Sequence, residues 1–144
     1  MSNAILKNNL ESLEKQLEWL RYSYLKCERI GIRENYTNEE FDYFETLCSR
    51  FARSLDFLIR RVFRSIDDVE YEIQGTLIDV VNNALKRGLI KNEEEIREIR
   101  DIRNEIVHEY VDEGLLELLE VVLNNTNSLI TIIESTIKYC EKYK

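Results

Sequence analysis

Proline is absent from this chain, and glycine occurs only four times. Short strands need tight turns, and tight turns lean on those two residues. Their scarcity excludes a β-rich fold and leaves long helices. Cysteine is also sparse: Cys27, Cys48 and Cys140 are odd in number and lack CxxC spacing. That argues against a disulfide framework and against a zinc site. They read instead as small buried thiols in a reducing compartment, so a cytoplasmic location is expected. No stretch reaches the roughly 18 uncharged apolar residues of a membrane helix. No basic stretch followed by an apolar run opens the chain, so no secretory leader is expected. Gly-rich phosphate loops, an HExxH helix and a nucleophile elbow are all missing. The many carboxylates fall on solvated helix faces, where pairing with Lys or Arg four residues away is the usual role. No metal and no bound cofactor are therefore expected. Positive charge is in deficit as well, with a formal net charge of −8. That disfavours a general nucleic-acid coat, which carries a basic excess. An enzyme acting on RNA is still allowed, because local charge decides where phosphate binds.

What is present is a globular composition. Hydrophobic residues make up 44% and charged residues 33%, which excludes intrinsic disorder. A chain of 144 residues fits one domain spanning residues 1–144 with a single core. The periodicity predicts five helical segments. Leu6, Leu10, Leu13, Leu17, Leu20 and Tyr24 recur at spacings of three and four, predicting a helix from about Ile5 to Arg29. The stretch around Gly31–Tyr36 breaks it. Thr37-x-x-Glu40 has the form of a capping box and opens a second helix, to about Arg64. Ser65-x-x-Asp68 then punctuates the chain. A third helix covers about Thr76 to Arg87, with an earlier start near Val69 as an alternative, and Gly88 stops it. Asn92-x-x-Glu95 caps a fourth, to about His108 or Tyr110, and a fifth runs from about Asp112 to Tyr139. Its first half, Leu115–Leu123, is apolar nearly all round, which predicts burial on two sides or an oligomer interface. Short connections between long amphipathic helices predict an all-α, up-and-down bundle of four to five helices.

On the second helix successive residues turn by about 100° each. Phe44, Cys48, Phe51, Leu55, Leu58, Ile59, Val62 and Phe63 then share an arc about 140° wide, a core face. Arg50, Arg53, Arg60, Arg61 and Arg64 share a stripe about 100° wide on the opposite side, with Phe57 in its middle. The stripe is either a solvated or dimer-facing surface, or an RNA-binding surface on which Phe57 stacks a base.

His108 is the single histidine, and histidine is the default proton shuttle near neutral pH. Arg103 falls inside the apolar arc formed by Ile96, Ile99, Ile102, Ile106 and Val107. A buried guanidinium needs a partner. It is either paired with a carboxylate from another helix or held in a cleft to receive phosphate, which its planar fork suits. Asn104 shares a face with His108 and could fix the imidazole tautomer, or it is an ordinary exposed amide. His108 lies about 140° round from Arg103 and roughly 7.5 Å along the axis. A long Arg side chain or a second subunit would have to close that gap.

The run Arg-Asn-Glu-Ile-Val-His-Glu-Tyr, residues 103–110, resembles the Arg-x4-His motif of the HEPN family. Its tyrosine two residues after the histidine resembles the HepT subtype. Phe41–Phe63 looks like the family's long second helix. The Lys86–Arg87–Gly88 turn is similar to one in nucleotidyltransferase-substrate-binding relatives. The resemblance implies a helical bundle that pairs into a homodimer, with two motifs facing one cleft. It implies a HepT-like toxin, a metal-independent RNA endonuclease partnered by a minimal nucleotidyltransferase antitoxin that silences it by adding AMP to the motif tyrosine. Arg103 would then stabilise charge on phosphorus, Asn104 would orient, His108 would act as general acid or base, and Tyr110 would be the modified residue. The alternative is a non-catalytic HEPN partner that helps a nucleotidyltransferase bind substrate or nucleotide. A third reading is a structural helical adaptor in which Arg103 is locked in an ion pair.

Overall fold

The structure, a computed structural model, describes residues 2–73, 75–108 and 112–143. Among these residues every regular element is helical. Helix α1 spans Ser2–Ile30, and α2 spans Asn38–Phe57. A π-helical segment, Leu58–Phe63, joins α2 without a break to α3, Arg64–Val69. Then follow α4 (Leu77–Lys86), α5 (Glu93–Val107) and α6 (Asp112–Tyr139), ending in a 3-10 turn over Cys140–Tyr143.

Local chemistry sets the ends of these helices. Gly31 closes α1 with φ of 76°, and its N–H donates to the Cys27 carbonyl at 2.9 Å. Thr37 and Glu40 form the predicted capping box: the Glu40 N–H donates to Thr37 Oγ1 at 3.1 Å, and the Thr37 N–H donates to Glu40 Oε1 at 3.0 Å. Thr76 and Asp79 repeat that device at the start of α4. Gly88, with φ of 78°, turns the chain after α4, and Asn92 Oδ1 accepts the Glu95 N–H at 2.8 Å to start α5.

Ser65 does not punctuate the chain as its sequence context predicts. Its hydroxyl donates to the Arg61 carbonyl at 2.8 Å and accepts from Asn9 Nδ2 at 2.6 Å. A serine that bonds back to the carbonyl four residues earlier stays in the helix. The rod therefore continues to Val69, and Tyr71, at φ of 57°, takes the left-handed conformation beyond it.

The predicted stripe on α1 is the core face: Leu6, Leu10, Leu13, Leu17 and Leu20 are buried, with Tyr24 half-buried beside them. All eight predicted core residues of the second rod, Phe44 through Phe63, are buried too. Helix α1 packs on α2, α3 and α6, while α5 packs on α2 and α6. Helix α4 lies against the π-helical segment. On α6, Leu118, Leu119, Val122 and Leu123 are buried, whereas Leu116 and Val121 are each 39% exposed. Within one chain that helix therefore buries one side of its apolar stretch. Cys27, Cys48 and Cys140 are free and buried. Burial pushes the Cys27 and Cys48 thiols up to about 12. No described helix is long and apolar enough to cross a membrane.

A second polar centre sits where α3, α4 and the chain's last turn meet. Asp67 is fully buried, and Arg87 Nη2 lies 2.7 Å from its Oδ1. Arg87 Nε donates to Glu70 Oε1 at 2.8 Å. Tyr139 and Tyr143 both donate their hydroxyls to Glu70 Oε2, at 2.6 and 2.5 Å. Burial pushes the Glu70 carboxyl up, but the bonds from Tyr139, Tyr143 and Arg87 outweigh it and hold the group below the usual range. Arg87 is thus a structural residue that ties the Lys-Arg-Gly turn to the bundle.

Candidate functional site

Helix α5 lays Ile96, Ile99 and Ile102 into the core. Arg103 lies within that apolar arc, as expected, with 27% of its side chain exposed. It is neither free nor fully buried. Its Nε donates to Asp56 Oδ1 and its Nη2 to Asp56 Oδ2, both at 2.9 Å. This fork-to-fork geometry fixes the guanidinium plane. Nη1 donates to Asn104 Oδ1 at 3.3 Å, so the amide holds the third arm of the arginine. Of the two readings of Arg103, the carboxylate partner is present, supplied by α2.

Asp56 was not singled out from the sequence, although a signal existed. It is the only carboxylate between Glu45 and Asp67, alone in an arginine-rich stretch. At about 100° per residue it falls just beyond the edge of the core arc.

Beside this pair is a cavity of about 50 Å³, lined by Asp56, Arg60, Leu77, Arg100, Arg103 and Asn104, with Leu55 and Ile59 behind. Three guanidiniums therefore surround one carboxylate. Among the described residues the side chains of Arg60 and Arg100 form no hydrogen bond or ion pair. A chain with a net charge of −8 thus keeps a local positive excess here, which suits an anion.

The arginine stripe does not act as one surface. Arg50 turns to α1, where its Nη1 donates to the Trp19 carbonyl at 3.0 Å and to Ser23 Oγ at 2.7 Å. Arg53 lies over a different hollow, shared with Asp42 and Glu45. Arg61 is exposed and Arg64 half-buried, and neither lines the Arg103 cavity. Phe57 is half-buried against the core. Only Arg60 of the stripe joins the site. The π-helical segment begins after Phe57 and bonds i to i+5. Leu58, Ile59, Val62 and Phe63 are nonetheless buried as the spacing of about 100° places them, so the stripe is divided by what each arginine meets and not by a lost phase.

His108 is the cap residue that ends α5. Its backbone is extended (φ −82°, ψ 151°), and its N–H donates to the Asn104 carbonyl at 3.1 Å. Its side chain is exposed. Asn104 thus touches both candidates, Arg103 through its amide and His108 through its main chain. Val107, expected on the apolar face, is 52% exposed because the helix ends there. Tyr110 and Glu109 lie outside the described residues. Among the described residues no group of three or more His, Cys, Asp or Glu is placed to hold a metal ion.

The arrangement can fix a planar cation beside an anion-sized cavity, with an imidazole at the end of the same helix. Comparison with known proteins adds no relative: no family model, no curated protein and no solved structure matches the chain.

Proposed function

We propose that this chain is a HepT-like toxin, a metal-independent RNA endonuclease that works as a homodimer. A nucleotidyltransferase antitoxin silences it by transferring AMP to Tyr110. The observation that carries the reading is the cluster on α5: Arg103 held by Asp56 and Asn104, beside Arg60 and Arg100, with His108 exposed at the helix end. RNA supplies its own nucleophile. The 2′-hydroxyl attacks phosphorus, a 2′,3′-cyclic phosphate forms, and the 5′-oxygen leaves. The protein must take one proton and return one, a task for the His108 pair of a dimer. Arg103 stabilises the charge that builds on the non-bridging oxygens. AMP on Tyr110 would add bulk and negative charge to the motif.

The test is to incubate the unmodified protein with RNA in excess EDTA, beside His108→Ala. Cleavage by the wild type alone, leaving cyclic-phosphate ends, is the expected result. Absence of cleavage by a folded dimer would overturn the nuclease reading. It would favour a second one, a non-catalytic partner of a nucleotidyltransferase, to which one observation already lends weight: Asp56 satisfies Arg103 at rest.

A further inference from the structure

A larger cavity of about 310 Å³ opens between α4 and α5, next to the arginine cluster. The two cavities share Arg100 and Asn104 as a common wall. The larger one has an apolar floor of Ile78, Val81 and Ile96. Ile78 is 65% exposed, so its side chain is open to a ligand entering from solvent. The rim carries amides, Asn82 and Asn104, and the carboxylate of Asp101. Glu93, also on the rim, has a partner in Arg97 at 3.6 Å.

We infer that this cavity holds one unpaired base of a single-stranded RNA, next to the phosphate seated at Arg60, Arg100 and Arg103. The inference rests on the ribonuclease reading and adds the substrate class: an unstacked strand rather than a duplex. Three features argue for it. A base presents an apolar face and a polar edge, and the cavity offers an apolar floor with amides at its rim. The volume lies in the small-ligand range, so it admits one base and not a helix. A base and its own phosphate are joined through a single ribose, and these two cavities adjoin across Arg100, whose guanidinium can serve both. Asn104 Oδ1 is taken by Arg103, which leaves its amide donor for the base, while Asp101 can accept from an exocyclic amine. Base pairing would bury the edges that these groups read.

The experiment uses the whole chain with Ile78→Ser and Asn82→Ala. Both residues are exposed, so neither exchange opens the core, and circular dichroism confirms the fold. Ile78→Ser is neutral and leaves the phosphate attraction intact. Binding is read on a His108→Ala background, with a short single-stranded RNA and with the same strand lacking one base. Ile78→Ser should weaken the complete strand by roughly five- to tenfold and leave the abasic strand unchanged. Arg100→Gln should weaken both. If the wild type cleaves RNA while Ile78→Ser binds and cleaves as it does, the base pocket is overturned and the ribonuclease reading stands. If duplex RNA is cut as fast as single strands, the pocket falls as well. If the wild type neither binds nor cleaves RNA, both fall together.

Discussion

Arg103 and Asp56 meet fork to fork, with two parallel hydrogen bonds of 2.9 Å joining α5 to α2 across 47 positions of chain. The pair is partly open to solvent, 27% and 35% exposed, and that exposure decides what it contributes. A pair this wet adds little stability but fixes the orientation of the guanidinium well.

Arg103→Ala should therefore lower stability by only about 1 kcal/mol while abolishing RNA cleavage. Urea titration and a cleavage assay on the same sample check this. A loss of several kcal/mol would instead support the structural adaptor, in which the ion pair is the purpose of the residue.

Asp56→Asn keeps the shape and removes the charge. Loss of the carboxylate leaves three guanidiniums with no anion between them. Phosphate-bearing ligands should bind more tightly, while cleavage slows because Arg103 is no longer held in plane. Opposite changes in Kd and kcat would mark Asp56 as a positioning residue. Parallel changes would count against that role.

The arginines should separate into two classes. Arg60→Gln should weaken RNA binding and lower its salt dependence by about 0.7 in the log–log slope, as the loss of one phosphate contact to a single strand does. Arg50→Gln should leave the slope unchanged and reduce stability instead, because it strips the Trp19 carbonyl and the buried Ser23 hydroxyl of a donor. Binding isotherms at several salt concentrations distinguish the two.

Arg87→Met should cost about 3–5 kcal/mol, because it leaves the fully buried Asp67 without its cation. Adding Asp67→Leu should recover part of the loss. Chemical denaturation of the single and double variants measures both.

The same centre gives stability a definite dependence on pH. Glu70 titrates below its usual range when folded. Its contribution is complete above about pH 4.3, the unfolded value, and is lost as pH falls through the lower folded one. Tyr143 is raised, by burial and by its bond to Glu70. Its contribution is complete below about pH 10 and is lost as pH climbs through the folded value. Between these limbs the contribution of this centre should be flat, with the buried Cys27 and Cys48 thiols adding to the alkaline loss from about pH 8.5. Glu70→Gln should shallow the acid limb relative to the wild type.

The helical class, the core faces of α1 and of the rod begun by α2, and most helix ends were legible in the sequence, because each follows from short-range rules. A leucine every three or four residues on α1 can bury itself only as a helix. Thr37 needs nothing beyond Glu40 to form its box, and Gly31 needs no partner to take a positive φ. Ser65 misled because a serine hydroxyl satisfies either a turn or the carbonyl four residues back, and the bundle chose the second. Tertiary structure alone decided which arginines work together. Arg60 and Arg103 are far apart in sequence and share a cavity. Arg50 and Arg60 lie on one predicted stripe and face different helices, since Ser23 of α1 captures Arg50 while Arg60 lines the cavity beside α5. Periodicity could place Arg103 on an apolar face, where charge demands a partner. That the partner is Asp56, and that the pair stays partly open to solvent, depends on how α2 and α5 pack, which no local pattern encodes.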